Sequence, residues 1–325
     1  MSEWILYHII AIWLALLMDR LIGDPEHLPH PVRWFGILIS FFDQKMNKGN
    51  QKKRNGFIAI IMMQTIVFAS TVAIVFLGFF VHPIVGIIVE GILISTTISP
   101  RNLKEAALAV YQPLKNNDIT QARYKLSWIV GRDTDQLNTS EIVRGTIETV
   151  SENTSDGVTA PLFYAFIGGA PFAVLYRFVN TCDSMLGYRN EKYKKFGFAS
   201  AKLDDIWNYI PARMTGFLSL VIYRSSFYSL PERIKKWKMY ARCHPSPNSG
   251  YLEAATALLL GIQLGGMNTY QGKTNRRPFM GDDLVEKRPS HIVESISIMY
   301  RTTLLFAVIL TIIGGVVVAT TCTWS

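Results

Sequence analysis

The sequence predicts an all-α polytopic membrane protein, a helical bundle with broken or re-entrant helices and a cytoplasmic helical portion. Three observations predict it. Charged residues make up 18% of the chain against 49% hydrophobic, where soluble domains carry roughly 25% charged residues. The apolar residues are clustered, because Asn55 to Val89 and Thr302 to Ser325 contain no Asp, Glu, Lys or Arg. About 20 apolar residues cross about 30 Å of hydrocarbon, and Phe57 to Phe79 and Thr303 to Thr321 both reach that length. The same composition excludes a disordered, collagenous or coiled-coil chain.

Taken in order, the elements of one integral membrane domain, 1–325, are as follows. Segment 4–19 is an apolar run without a basic n-region or a small-residue cleavage site, so it reads as a span rather than a signal peptide. Spans 57–79 and 83–99 form a hairpin broken at His82-Pro83, the second interrupted only by Glu90. Span 303–321 closes the chain. Segments 20–56, 101–157 and 224–301 are polar and carry the basic residues, which the positive-inside rule places in the cytoplasm. The middle is less regular. Segments 158–179 and 210–223 are apolar enough to enter the bilayer, but full crossings would leave Lys192, Lys194, Lys195 and Lys202 outside. Pro161, Gly168-Gly169 and Pro171 also interrupt the first. Irregular backbone at membrane depth survives only inside protein or along a cavity, which favours broken or re-entrant helices there. Two full spans are the alternative.

The three cysteines, Cys182, Cys243 and Cys322, form neither a disulfide framework nor a zinc motif. A net charge of +9 fits a membrane surface. No RNP, zinc-finger or helix-turn-helix pattern points to nucleic acid.

The candidate chemistry lies in polar stretches bordering apolar ones. In DRLIGDPEHLPHPVRWFG (Asp19–Gly36), Gly23, Pro25, Pro29 and Pro31 make a rigid loop. His27 and His30 lack the further ligands of a metal site. In WIVGRDTDQLNTSEIVRGTIETVSENTSDGVTAPLFY (Trp128–Tyr164), Thr139 or Ser140 can cap a helix running to about Thr154. Glu141, Arg144, Glu148 and Glu152 then share one face, with Asp156 four residues on. A solvated face of i,i+4 pairs accounts for Glu141 and Arg144. Glu148, Glu152, Asn153 and Asp156 abut the membrane, and oxygens of that kind suit Mg²⁺, which often bridges substrate phosphates.

Asp183 in NTCDSMLGY (Asn180–Tyr188), and Asp204, Asp205 and Asn208 in KLDDIWNYIPARMTG (Lys202–Gly216), add oxygens, while Arg213 adds a forked donor. Acidic groups bordering apolar helices are costly unless paired or functional. HPSPNSGYLEAATALLLG (His244–Gly261) opens a helix whose N-terminus can take an anion, with Glu253 in its first turn. GGMNTYQGKT resembles a P-loop, but five residues separate Gly266 from Gly272-Lys273 where Walker A has four. Lys273 remains a point charge for a phosphate.

These motifs, together with VGRDT, FGFASAKLDD and GGAPFAVLYRFVNTCDSMLGY, resemble the CbiB/CobD family of adenosylcobinamide-phosphate synthases over about Asp19 to Gly281. Cys182 stands where that family is expected to have an aliphatic residue, and Ser151 where alanine is common. The resemblance implies an inner-membrane ligase of cobalamin biosynthesis with its site facing the cytoplasm. It would join the propionate carboxylate of adenosylcobyric acid to (R)-1-aminopropan-2-ol or its O-phosphate, driven by ATP and Mg²⁺. Its partners would be those substrates, the bilayer and other late cobalamin-pathway membrane enzymes, and no nucleic acid.

A carboxylate does not accept an amine unaided, and activation as an acyl phosphate would solve this. The expected catalytic set is Glu148, Glu152, Asp156, Asp183, Asp204 and Asp205, with Glu152, Asp156 and Asp183 as metal ligands. Arg132, Arg213 and Lys273 would neutralise phosphates, since positioning and electrostatics dominate phosphoryl transfer. Asp24, His30, Asp133, Asn153, Asn180, Tyr188, Ser246 and Asn248 would complete the substrate-binding set. A transporter or membrane sensor on the same scaffold is the second hypothesis, prompted by Glu90 within a span and by the Gly/Pro-broken helices.

Overall fold

The computed structural model describes residues 2–23, 31–188 and 190–322. Thirteen α-helices and one two-stranded sheet are described. Among the described residues five helical stretches are long and apolar enough to cross a membrane: Glu3–Leu21, Lys52–Val81, Pro83–Lys115, Thr139–Leu186 and Ser290–Thr321. The chain is an all-α polytopic membrane protein, and it divides into two compact units.

The first unit comprises 1–99, 157–208 and 307–325. It holds α1 (Ser2–Leu21), α2 (Pro31–Met46), α3 (Lys52–Val81), α4 (Pro83–Ser95), α8 (Ala160–Leu186) and α9 (Phe198–Trp207). Helix α4 packs on α1 and α3, and α1, α2, α3, α4 and α9 all pack on α8. The α3–α4 hairpin turns where Pro83 starts a helix at no hydrogen-bonding cost and the His82 side chain accepts the Ile84 N–H at 3.2 Å. Gly78 and Gly86 let the two helices close up, because a Cβ on Gly78 would lie 3.2 Å from the Gly86 Cα. Phe35, Ile39, Ile60, Met63 and Phe178 form a core, whereas Ile61, Phe76, Leu77 and Phe80 of α3 are exposed. A helix apolar all round suits a lipid surround.

Helix α8 is broken. A π-helical turn, Ser155–Thr159, precedes it, and Gly168 and Gly169 leave helical geometry inside it. This is the irregularity expected of 158–179. The stretch 182–209 contains the end of α8 and all of α9.

The second unit comprises 100–156 and 209–306. It holds α5 (Pro100–Lys115), α6 (Ile119–Ser127), α7 (Thr139–Thr154), α10 (Tyr209–Ile222), α11 (Leu230–Ala241), α12 (Ser249–Leu260), and the strands β1 (Leu264–Tyr270) and β2 (Lys273–Met280). Helix α13 (Ser290–Cys322) begins here and ends in the first unit. Val110, Ile147, Leu258 and Met299 lie in one apolar core built from α5, α7, α12 and α13.

The cap of α7 is Asn138, not Thr139 or Ser140. Its side chain accepts the Glu141 N–H while Glu141 accepts the Asn138 N–H, a reciprocal capping box. The antiparallel β1–β2 hairpin was not foreseen from sequence. Its segment is short and glycine-rich, and it folds back through a Gln271-Gly272 turn whose residues both have positive φ.

Candidate active site

In the second unit a buried charge cluster is built on one face of α7. Glu148 is 3% exposed and is its hub. One carboxylate oxygen accepts from Arg132, the other accepts the Gly265 N–H at 2.9 Å, and Arg144 Nη1 lies 3.9 Å away. Arg132 also donates to Asn268 Oδ1 at 2.6 Å. Arg144 donates to the Gly265 carbonyl, to the Met267 carbonyl at 2.8 Å and to Asn268 at 3.1 Å. The expectation of a solvated Arg144 is thus overturned, since it is buried and ties α7 to β1. Backbone carbonyls freed by the positive-φ glycines of β1 supplied acceptors that helical spacing does not reveal.

The N-terminus of α12 meets the same cluster. Glu152 accepts from the Ser249 hydroxyl at 2.8 Å, and Ser246 Oγ accepts the N–H groups of Asn248 and Ser249. His244 Nδ1 accepts the Ser246 N–H at 3.0 Å, and its Nε2 lies 3.6 Å from Glu253 Oε1. Glu253 is fully buried, and among the described residues neither of its oxygens has a hydrogen-bond donor. Burial, then the Glu148 and Glu152 carboxylates, push its carboxyl well above the usual range. Burial, then Arg277, hold His244 below the ordinary imidazole value. Arg277 on β2 donates to the Tyr270 hydroxyl at 3.2 Å, and against the cost of burial Tyr270, then Glu253, Glu148 and Glu152, favour its charge. The cluster therefore sets Arg132, Arg144 and Arg277 against Glu148, Glu152 and Glu253. His244, Asn268 and Arg277 were missed as site residues, and Glu253 was noted at the start of α12 without a role. Glu253 lies four residues after Ser249 on α12, which was the available signal. Nothing local marked Arg277 or Asn268, because the hairpin itself was not foreseen.

Other expected residues of this unit lie around the cluster or away from it. Asn153 donates back to the Thr149 carbonyl at 2.9 Å. Asp156 sits in the π-helical turn, whose wider spacing ends the four-residue repeat that placed it on the α7 face. Arg213 is stacked between the rings of Tyr209 and Tyr251, at 3.5 and 4.2 Å. It donates to the Tyr209 and Pro247 carbonyls and to Asn248 Oδ1. Asp133 accepts the N–H groups of Gln271 and Gly272, which fixes the hairpin turn. Lys273 is exposed at the start of β2.

In the first unit the expected residues gather where α8 meets α9. Asn180 donates to Asp204 Oδ1 at 3.2 Å, and Tyr176 donates to Asn208 Oδ1 at 2.7 Å. Burial, reinforced by the neighbouring Asp183 carboxylate, pushes Asp204 up to about 7. Asp205 is turned to Lys202, 2.9 Å away. Tyr188 is exposed and lies against Tyr193, ring centroids 6.4 Å apart. Asp24 and His30 lie outside the described residues.

Among the described residues no group of three or more His, Cys, Asp or Glu is placed to hold a metal ion. Mg²⁺ does not need one, being commonly held by one or two carboxylates and substrate phosphates.

A polytopic helical membrane protein with an arginine–glutamate cluster at a helix N-terminus is the class that the fold and these contacts define. The chain belongs to the family described as CobD/Cbib protein, which matches residues 12–299. It is 51% identical to the cobalamin biosynthesis protein CobD of Halalkalibacterium halodurans, over 97% of this chain and 99% of that one. It is 49% identical to CobD of Clostridium perfringens, over 84% of this chain and 87% of the other. It is 41% identical to the cobalamin biosynthesis protein CbiB of Salmonella typhimurium, over 90% and 93%. No solved structure matches. Family and relatives together support a role as a pathway enzyme of cobalamin biosynthesis.

Proposed function

We propose that the protein is an ATP-dependent amide ligase that joins the propionate carboxylate of adenosylcobyric acid to (R)-1-aminopropan-2-ol or its O-phosphate, giving adenosylcobinamide or its phosphate. The observation that carries this reading is the cluster at the start of α12. There, arginines and a helix N-terminus suited to phosphate stand beside carboxylates suited to a cation, in a chain whose relatives are named for cobalamin biosynthesis.

In the proposed chemistry the substrate carboxylate oxygen attacks the γ-phosphorus of ATP, forming an acyl phosphate and ADP. The ammonium loses a proton, its nitrogen attacks the acyl carbon, the carbon–oxygen bond to phosphate breaks, and phosphate leaves. Arg277 is the arginine best placed to meet anionic oxygens, because Arg132 and Arg144 spend donors on Glu148, Asn268 and backbone carbonyls. Ser246 Oγ holds the Asn248 and Ser249 N–H groups, so the α12 N-terminus would act on an anion through the positive end of its helix dipole. Glu152, at the α12 N-terminus, is the carboxylate that would hold Mg²⁺ beside the nucleotide phosphates, with Asp156 of the π-helical turn as the second carboxylate the sequence suggests. When bound, the ion would offset charge that develops on those phosphates. Asp183, expected to be a metal ligand, is in this reading left with Asp204, a pair whose chemistry suits an ammonium group.

ATP is cytoplasmic, so the reading puts the polar motifs on the cytoplasmic face of the inner membrane, in line with the basic segments. Single cysteines placed at Lys192 or Lys195 should resist an impermeant thiol reagent in whole cells.

The test is direct. Purified protein with adenosylcobyric acid, aminopropanol phosphate and Mg-ATP should form cobinamide phosphate and ADP in equal amounts. Release of AMP, or no amide at all, would overturn the reading.

A further inference from the structure

Glu90 is a buried ionisable group that belongs to neither cluster. Glu90 of α4 is fully buried in an apolar helix, a costly place for a carboxyl unless it has a task. Both of its oxygens are engaged. Oε1 accepts the Ala170 N–H at 3.2 Å, and Oε2 lies 3.0 Å from Nδ1 of His8 on α1.

Ala170 is where α8 resumes after its break. Gly168 (φ −149°, ψ 29°) and Gly169 (φ 65°, ψ −159°) leave helical geometry, and the second conformation is open essentially to glycine alone. A restarting helix exposes N–H groups that nothing in an apolar surround can satisfy. Pro171 removes one such group, and Glu90 takes the N–H of Ala170. A carboxylate there also faces the positive end of the half-helix dipole. The fit is close, since a Cβ on Gly169 would lie 2.1 Å from Glu90 Oε1 and 2.6 Å from His8 Cε1. Three elements therefore meet at one point of the first unit.

The half-helix that starts there carries Tyr176, Asn180 and Asp183. At about 1.5 Å of rise per residue, Asn180 stands about 15 Å along it. The start of a rigid helix sets the rotation and height of everything further along, and Asn180 and Tyr176 make specific bonds to Asp204 and Asn208.

We propose that Glu90 and His8 form a clasp that seats the second half of α8 and thereby positions Asn180 and Asp183 against Asp204. They are positioning residues, and Glu90 is a fixed cap rather than a transported-ion site within the span. The inference rests on the proposed function only in assigning work to the Asp183–Asp204 pair.

The experiment uses the full chain in detergent, with Cys182→Ser, Cys243→Ser and Cys322→Ser, Asn180→Cys and Asp204→Cys, and a short bis-methanethiosulfonate cross-linker. Adding Glu90→Ala should slow cross-linking roughly tenfold, the effect of losing about 1.4 kcal/mol of alignment, while the protein remains monodisperse. Glu90→Gln, which keeps an acceptor for Ala170, should restore the rate to within about twofold of the parent. In the chain without the cysteine pair, Glu90→Ala should raise KM for the amine more than it lowers kcat, with Glu90→Gln again restoring it. A folded Glu90→Ala protein that cross-links at the parent rate overturns the clasp, as does a Glu90→Gln protein as slow as Glu90→Ala. Should Glu90→Ala not fold, His8→Phe decides, because it too must slow cross-linking and an unchanged rate overturns the proposal. Cross-linking needs no turnover, so a chain that forms no amide would sink the proposed reaction and leave the clasp separately judged.

Discussion

Glu148 and Asp204 are both carboxyls taken out of water, and they are housed differently. Glu148 lies among Arg132, Arg144 and the Gly265 N–H, so its charge is met from several directions. Asp204 is buried beside another carboxylate, Asp183, and receives an amide hydrogen bond from Asn180. A charge paired and hydrogen-bonded inside protein is a fixed part of the fold, whereas one opposed by burial and a like charge is primed to change its protonation or to receive a cation. The second unit therefore holds a prebuilt electrostatic frame, and the first holds an acidic pair that a cationic substrate would complete.

The largest effect should come from breaking the frame. Glu148→Ala leaves buried guanidinium groups unmatched and should cost about 3–5 kcal/mol, seen as loss of cooperative thermal unfolding or failure to purify a monodisperse protein. Next is chemistry without collapse. Glu152→Gln and Asp156→Asn should each lower the ligation rate about a hundredfold while the melting temperature moves by only a few degrees. Normal rates in both would remove α7 and its π-helical turn from the mechanism.

The acidic pair makes a pH-dependent prediction of the opposite sign to an ordinary salt bridge. Asp204 has its carboxyl raised from 3.8 to about 7 in the folded chain, so the folded state binds a proton that the unfolded state has already lost. The stability it contributes is complete below 3.8 and is lost as pH rises through about 7. Asp204→Asn should therefore raise the melting temperature by several degrees at about pH 8 and leave it nearly unchanged at about pH 4. Equal shifts at both would show that Asp204 is not held protonated by its surroundings.

Smaller still is Arg213→Lys. It loses the forked contacts to the Tyr209 and Pro247 carbonyls and the two-ring stack, and should cost about 1–2 kcal/mol in thermal unfolding. Lys273→Ala should be the mildest, within about 0.5 kcal/mol of stability because the residue is exposed. A KM for ATP raised well beyond about threefold would bring Lys273 into the phosphate site after all.

The legible and the illegible parts of this molecule differ in physical scale. Charge-free runs such as Asn55 to Val89 announce helices, because a lipid surround demands one residue class over many positions. Gly168-Gly169 announced a break for a similarly local reason. Glu148 and Glu152 could be placed together because α7 is regular and its face repeats. Asp156 could not, since a π-helical turn changes the spacing just before it. Arg144 was misjudged because its acceptors are backbone carbonyls 121 and 123 residues away. Arg277 and Asn268 reach the cluster only through a hairpin whose strands, the first with a Gly-Gly pair and the second polar, lack the alternating pattern that marks a strand.

The central claim is that a phosphorylated carboxylate precedes the amide. Adenosylcobyric acid carrying oxygen-18 in its propionate carboxylate, turned over with Mg-ATP and aminopropanol phosphate, tests it most directly. The account predicts one labelled oxygen in each inorganic phosphate released, because the oxygen that attacks phosphorus leaves with it. Unlabelled phosphate with amide still formed, or label recovered in AMP, would contradict it.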